Sequence, residues 1–388
     1  MQGKKKEKMK KASSLPDISI LEKFMKTYER HCAFSQSSVS SMIKRSLRQC
    51  IENETILTKF VLTNSQNSQP VLLTPLLRTI RDERYMLGKE LCFWGIQLNN
   101  QDIANLAMLL ERNGCTNYPF CTLEITHVPI DAWSMERLGA AFPYSNLNSI
   151  VLDYTKFGDK GINGLVSGLE GNRKLLTLSL CYCSLEPESG SKLGPIVAQT
   201  AICNLYLNGN NLQCLGALEL ITPIAMYADN LGRDKETNAL LFNNYSDHQI
   251  PEGTKKKKEK KTEVGPWLVK LHLADNGIDG RGKGGEKMVL EFTQFLTYLI
   301  KHSEHLIELD LDGNAIGELC ATDILEALTE RKKDKMPGLN IKVTPQISSN
   351  TFKSIFKNSK KLKSTKKRMK KVCTYCFSSL YINRKASP

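Results

Sequence analysis

A tract of the form LxxLxLxxNxI recurs along this chain and limits its fold more than any other feature. Leu306, Leu309, Leu311, Asn314 and Ile316 spell it once, and Leu268, Leu271, Leu273, Asn276 and Ile278 spell it again. Ile202, Leu205, Leu207, Asn210 and Leu212 follow the same pattern, as do Leu175, Leu178, Leu180, Cys183 and Leu185. Residues two apart face one side of a strand, so the inner leucines of each tract make a short apolar strand face. One unit cannot bury that face alone. Stacking on the next copy does so, and the stack then offers a long surface rather than a pocket.

Repeat starts fall at Phe120, Leu147, Leu175 and Ile202, spaced 27, 28 and 27 residues apart. The first reads Phe120, Leu123, Ile125, Val128, Ile130, and the second Leu147, Ile150, Leu152, Thr155, Phe157. Weaker copies begin at Leu57 and Gly88, and Leu339, Ile341 and Val343 read as a final strand. Helical stripes follow the tracts, such as Ile162, Leu165, Val166 and Leu169, or Val289, Phe292, Leu296 and Leu299. A strand–loop–helix unit of this length resembles the ribonuclease-inhibitor-like leucine-rich-repeat family, which includes the Ran GTPase activators and the repeat arrays of innate immune receptors. The resemblance covers roughly residues 57–345. It implies an α/β leucine-rich-repeat solenoid, with a curved parallel sheet inside and helices outside. It implies protein binding in general, because the family binds many unrelated partners.

The Asn side chain of each tract can bond backbone groups of the adjacent turn, where no ladder partner exists. Asn210, Asn276 and Asn314 are expected to form such a structural ladder, with Cys183 as a stand-in. Thr155 and Val128 depart from the pattern, which predicts a less regular ladder in the N-terminal half.

The remaining segments divide the chain. Residues 1–18 are Lys-rich and expected to be disordered; 19–56 carry two helical stripes and read as a helical N-terminal cap over the first apolar layer. The solenoid occupies 57–347, and 348–388 read as a basic helix passing into a disordered tail. Ile202 and Leu268 lie 66 residues apart, which leaves either one repeat with an insertion or two repeats with an eroded middle. Residues 215–231 read as a long apolar helix, and 232–265 as a disordered insertion, whose closure costs only about 3 kcal/mol.

The net charge of +14 is unevenly placed: residues 1–11 carry +5, 254–263 carry +4 and 351–388 carry +12, leaving −7 on the rest. A basic character therefore belongs to the appendages alone. Tubulin tails, RNA or an anionic membrane are acidic polymers that such tails could bind, though no aromatic residues interleave with Lys360–Lys371 to stack on bases. No apolar run reaches membrane-spanning length, and Lys4–Lys6 are followed by no apolar leader, which argues against secretion. The 12 cysteines show no framework spacing, so a reducing compartment is expected.

Several motifs suggest chemistry, but each has a plainer explanation. Gly280, Gly282 and Gly285 make a literal GxGxxG, yet the preceding strand belongs to a repeat, in a sheet that should lack a Rossmann switch point. Gly277, Gly282 and Lys283 satisfy GxxxxGK, but Gly284 stands where a Walker motif needs Ser or Thr. Cys373 and Cys376 form one CxxC without the second ligand pair that structural zinc requires. The six histidines form no catalytic arrangement. No cofactor is expected.

The residues flanking the inner leucines point away from the core and should line the concave face. The candidate partner-binding set is Glu124, Asp153, Ser179, Tyr206, Asn208, Lys270, His272, Glu308, Asp310 and Asp312. The last three acids lie on one strand and could meet a basic partner. The expected function is a non-enzymatic cytoplasmic scaffold, with a composition-level similarity to cytoskeletal and ciliary leucine-rich-repeat proteins. The alternatives are a nuclear, nucleic-acid-associated protein acting through its Lys-rich tails, and a small-GTPase regulator. The sequence does not indicate an oligomeric state.

Overall fold

The computed structural model describes residues 18–64, 69–111, 117–243, 267–344 and 346–359, and for 229–243 the course of the chain only. Two helices lead, α1 (Ser19–Phe34) and α2 (Ser41–Glu52). Strands and helices then alternate: β1 (Lys59–Thr63), α3 (Leu73–Asp82), β2 (Glu90–Trp94), α4 (Asn100–Leu110), β3 (Thr122–Thr126), α5 (Ala132–Ala141), β4 (Ser149–Val151) and α6 (Gly158–Leu169). The series continues with β5 (Thr177–Ser179), α7 (Glu188–Gln199), β6 (Asn204–Tyr206), α8 (Gln213–Asn243), β7 (Lys270–His272) and α9 (Gly285–His302). It ends with β8 (Glu308–Leu311), α10 (Gly317–Lys333), β9 (Asn340–Val343) and α11 (Ser349–Asn358).

The nine strands form one parallel sheet in unbroken sequence order, β1 to β9. Every connection is thus a crossover to the next strand. Crossovers of one hand place all the helices on the same side, so the architecture is a solenoid-like α/β stack with one open sheet face. An unbroken strand order has no point of reversal, which removes the crevice that the Gly280–Gly285 loop would need to hold a dinucleotide.

The apolar period explains the interior. The paired inner residues Phe60/Leu62, Leu91/Phe93, Leu123/Ile125, Ile150/Leu152, Leu178/Leu180, Leu205/Leu207, Leu271/Leu273, Leu309/Leu311 and Ile341/Val343 are all buried. They belong to one continuous core that runs from Leu21 to Ile355. Each fully buried side chain of this size contributes about 1.5–3 kcal/mol. At the N-terminal end, Phe24 of α1 stacks on Phe60, with ring centroids 5.5 Å apart, and meets the edge of Tyr85 at 5.1 Å. The Tyr85 hydroxyl donates to Leu57 O at 2.7 Å. The two leading helices therefore cover the first apolar layer.

Asn210 donates through Nδ2 to Leu180 O and Leu207 O, and its Oδ1 accepts from Cys183 N and Leu185 N. Asn314 does the same for Leu273 O, Leu311 O, Asn276 N and Ile278 N. Asn276 makes only the donor half, to Leu207 O and Ala274 O, and its buried Oδ1 has no partner among the described residues. Cys183 reaches Leu152 O through its thiol, and Thr155 returns its hydroxyl to Leu152 O in its own turn.

One boundary differs from expectation. The insertion expected to be disordered from residue 232 is helical through Asn243, because α8 runs on from the apolar segment before it. Its sequence there, Lys235-Glu236 followed by Ala239-Leu240-Leu241, is rich in good helix formers that polarity alone did not reveal. Residues 244–266 lie outside the described residues, as do the two termini and Cys373/Cys376. β6 pairs directly with β7, so the long spacing holds one repeat with an insertion, not an eroded extra strand.

At the C-terminal end Arg331 is 2% exposed. Its guanidinium donates to Ile300 O, Ser303 O, Leu306 O and Pro337 O. The first three carbonyls end α9 and begin the next turn, where a helix leaves acceptors unpaired, and Pro337 follows α10. Burial holds the Arg331 pKa down, at about 10.

Candidate functional site: the open sheet face and its aromatic rim

Strand pairing sorts the outward residues into rows across the sheet. The middle row reads Val61, Cys92, Glu124, Val151, Ser179, Tyr206, His272, Asp310, Lys342. The row on one side of it contains Lys59, Glu90, Asn204, Lys270 and Glu308. The strand ends on the other side carry Trp94, Asp153, Asn208 and Asp312. All ten sequence-derived candidates lie on this face, spread along the sheet rather than gathered at one point.

The acid run at the C-terminal end is not open to a basic partner as expected. Lys270 Nζ lies 3.0 Å from Glu308 Oε2, and Lys342 Nζ lies 2.7 Å from Asp310 Oδ2. Asp310 is buried and only Asp312 is exposed. Lys342 sits on the last strand, and the sequence period could not place it opposite Asp310 without the register. His272 lies 3.3 Å from Glu308 Oε1 without a hydrogen bond to it, and its ring meets the edge of Tyr206 at 4.7 Å. Burial holds the His272 pKa down, against the opposing pull of Glu308 and Asp310.

Two other candidates are partly structural. Asp153 Oδ1 accepts from Ser179 Oγ at 2.7 Å and Cys181 N at 2.8 Å. Asn208 Oδ1 accepts from Ala274 N at 2.9 Å. Each ties the end of the next strand. Burial raises the Asp153 carboxyl pKa, and neighbouring Glu124 raises it further. Glu124 accepts from Trp94 Nε1 at 2.7 Å. Among the described residues, neither Glu124 nor Asp153 has an ion pair.

The feature that sequence reasoning missed runs along the strand ends. His127, Tyr154 and Tyr182 stack in series, with centroids 4.3 and 4.6 Å apart and planes within 11° and 5°. Tyr154 and Tyr182 are 38% and 39% exposed. All three adopt left-handed backbone, with φ of 56°, 60° and 56°. The same register holds Gly95, Gly209 and Gly313, also at positive φ. A uniform chain of bonds fixes that register: Gly95 N to Thr126 O, His127 N to Asp153 O, Tyr154 N to Cys181 O, Tyr182 N to Asn208 O and Gly209 N to Ala274 O. The turn therefore demands this conformation. Glycine adopts it freely, whereas a residue with a Cβ gives up about 1–2 kcal/mol. Ring stacking returns about 0.5–1.5 kcal/mol per pair. The signal was present in the sequence, since these rings recur 27 and 28 residues apart, but outside the inner leucine positions.

The nine described cysteines are free thiols. Burial raises several of them, Cys181 to about 11 and Cys183 to about 12, which keeps them protonated and poor nucleophiles. Asp159, Glu186 and Glu188 bring carboxylates within 4.8 Å of one another. Asp159 already accepts from Glu186 N and Ser189 Oγ, and both glutamates are exposed. Among the described residues no helix is long and apolar enough to cross a membrane. Neither family models nor curated proteins give a match to this chain.

Proposed function

We propose that this chain is a leucine-rich-repeat scaffold that recognises a protein partner on the open face of its sheet and does no covalent chemistry. The observation that carries the reading is the rim of His127, Tyr154 and Tyr182, exposed rings held in a backbone conformation that glycine would adopt at no cost. Strained residues kept at the surface are a mark of function rather than of stability, and tyrosine is enriched where proteins meet. The parallel sheet spreads these residues over a long surface, which suits a partner protein better than a small molecule. The Lys-rich ends and the insertion are proposed to tether the scaffold to acidic polymers, with a cytoplasmic, cytoskeletal or ciliary setting. Nothing among the described residues favours the nucleic-acid or GTPase readings over this one.

The test is cross-linked capture from cells, comparing the wild type with a Tyr182→Gly, Tyr206→Ala, Asp312→Lys variant of matched thermal stability. The expected result is loss of a defined partner set in the variant. An unchanged set would move the function to the helical side or the tails.

A further inference from the structure

The rim ends differently at its two sides. A Cβ on Gly209 would meet the Tyr182 ring at 2.1 Å, so Tyr182 covers the place of the next side chain. Asp275 covers Gly313 in the same manner, with Oδ1 at 1.9 Å from such a Cβ. Each side chain of the rim thus leans over its C-terminal neighbour. At the other side, a Cβ on Gly95 would meet nothing within 4 Å. His127, which leans over Tyr154, has no ring stacked on its far face among the described residues. One position of the stack is therefore vacant, in register and one strand spacing from an exposed imidazole.

The surroundings of this vacancy are acidic. Trp94, next to Gly95, holds the Glu124 carboxylate through its indole N–H. Asp153 follows on the strand beyond His127, with its carbonyl accepting from His127 N. Among the described residues Glu124 and Asp153, like Asp312 at the far end of the face, have no ion pair, and burial raises the Asp153 carboxyl. A flat side chain that carries positive charge satisfies both the geometry and the electrostatics. Guanidinium is flat and stacks on rings, while the lysine ammonium is a compact, strongly hydrated point charge.

We propose that the vacant position opposite Gly95 seats an arginine of a basic partner segment, stacked on His127 with Glu124 as its counter-charge, while Asp153, turned toward Ser179 and Cys181 of β5, adds to the acidic field. The inference rests on the face-recognition reading above and names the chemistry of the partner.

The experiment uses the full-length protein and a fluorescein-labelled peptide of arginines spaced by glycine and serine, with its lysine counterpart as the control. Anisotropy at physiological salt should show the arginine peptide binding roughly fivefold tighter. Gly95→Tyr should abolish that preference by filling the vacancy. The register already carries tyrosine at Tyr154 and Tyr182, so the fold should tolerate it. His127→Ala, which removes the stacking surface from the other side, should have the same effect if Gly95→Tyr fails to fold. Asp153→Asn should weaken both peptides while leaving their ratio intact. Equal binding of the two peptides by the wild type, or a preference that survives Gly95→Tyr, overturns the inference. So does a gain of probe binding in an Arg368→Gln, Arg384→Gln variant, which would put the chain's own tail in the position. Partner capture with the Tyr206 and Asp312 variant separates the two failures. If partners vanish there while the peptides bind equally, the open face stands as the recognition surface and only the arginine position falls.

Discussion

Between β3 and β5 the open face carries Glu124 and Asp153 without a cation, whereas between β7 and β9 Glu308 and Asp310 each face a lysine. The turns differ in the same way. Toward the C-terminus the asparagine positions bond two successive turns, and the rim positions are Gly209, Asp275 and Gly313. Toward the N-terminus, Thr155 donates to Leu152 O of its own turn and reaches the next turn only at the Cys183 thiol, and the rim is built of strained rings. The C-terminal half pairs Glu308 and Asp310 and ties its turns through Asn210 and Asn314, with Asp312 and the Asn276 Oδ1 as exceptions among the described residues. The other half gives up stability to keep acids and aromatic faces at the surface, as a recognition region does.

The comparison can be tested from its strongest point downward. Arg331→Ala strands several buried carbonyls at the C-terminal end and should cost about 3 kcal/mol or more, read as a fall in the urea midpoint. Arg331→Lys should recover only part of this, because an ammonium cannot span the same acceptors. Asn210→Ala should cost about 2–3 kcal/mol, since it leaves two buried donors and the Leu180 carbonyl unpaired while Leu207 O keeps Asn276, and Thr155→Val about 1 kcal/mol or less. Equal losses would remove the distinction between the two halves. Tyr154→Gly should change stability by less than about 1 kcal/mol, because relief of the left-handed backbone offsets the lost stacking. A large loss would make the rim a structural element.

The smallest expected effects are in pH dependence. The Glu308 carboxyl is held below its usual value, chiefly by Lys270 working against burial. Its stabilisation is present above the ordinary carboxylate range and lost as pH falls through the lowered value, so Glu308→Gln should flatten the acid limb of stability. Asp153 has the opposite sign. Its raised value means that the folded state gains stability as pH falls through it, and Asp153→Asn should be no less stable than wild type at neutral pH. His272 is held below its ordinary 6.5, so its contribution is present above that value and fades as pH drops toward the lowered one. Melting temperatures across this range check all three signs.

The strands were legible because leucine spacing records which residues turn inward. Every strand of the sheet follows one of the tracts, including the weak ones at Leu57, Gly88 and Leu339. The pairing of the acids was not legible, because Lys342 meets Asp310 only through a register between strands. The rim left only the 27- and 28-residue recurrence of its rings in the sequence, since the positive φ at Tyr154 or Tyr182 is imposed by the turn and not by the residue. The end of α8 was missed because a polar sequence was read as unfolded, when lysine, glutamate and alanine are good helix formers.

The junction of β6 and β7 has a consequence for synthesis. Elsewhere each strand is covered by the next after a single short repeat. After Tyr206, the partner strand arrives only once α8 and residues 244–266 have been made. At ordinary elongation rates the bare edge of β6 persists on the order of several seconds longer than the growing edge of any other strand that the sheet later covers. An uncovered edge is a template for pairing with a foreign strand. The lysines at 255–258 emerge during that interval, and their charge opposes such pairing while the second half of the sheet is still being made.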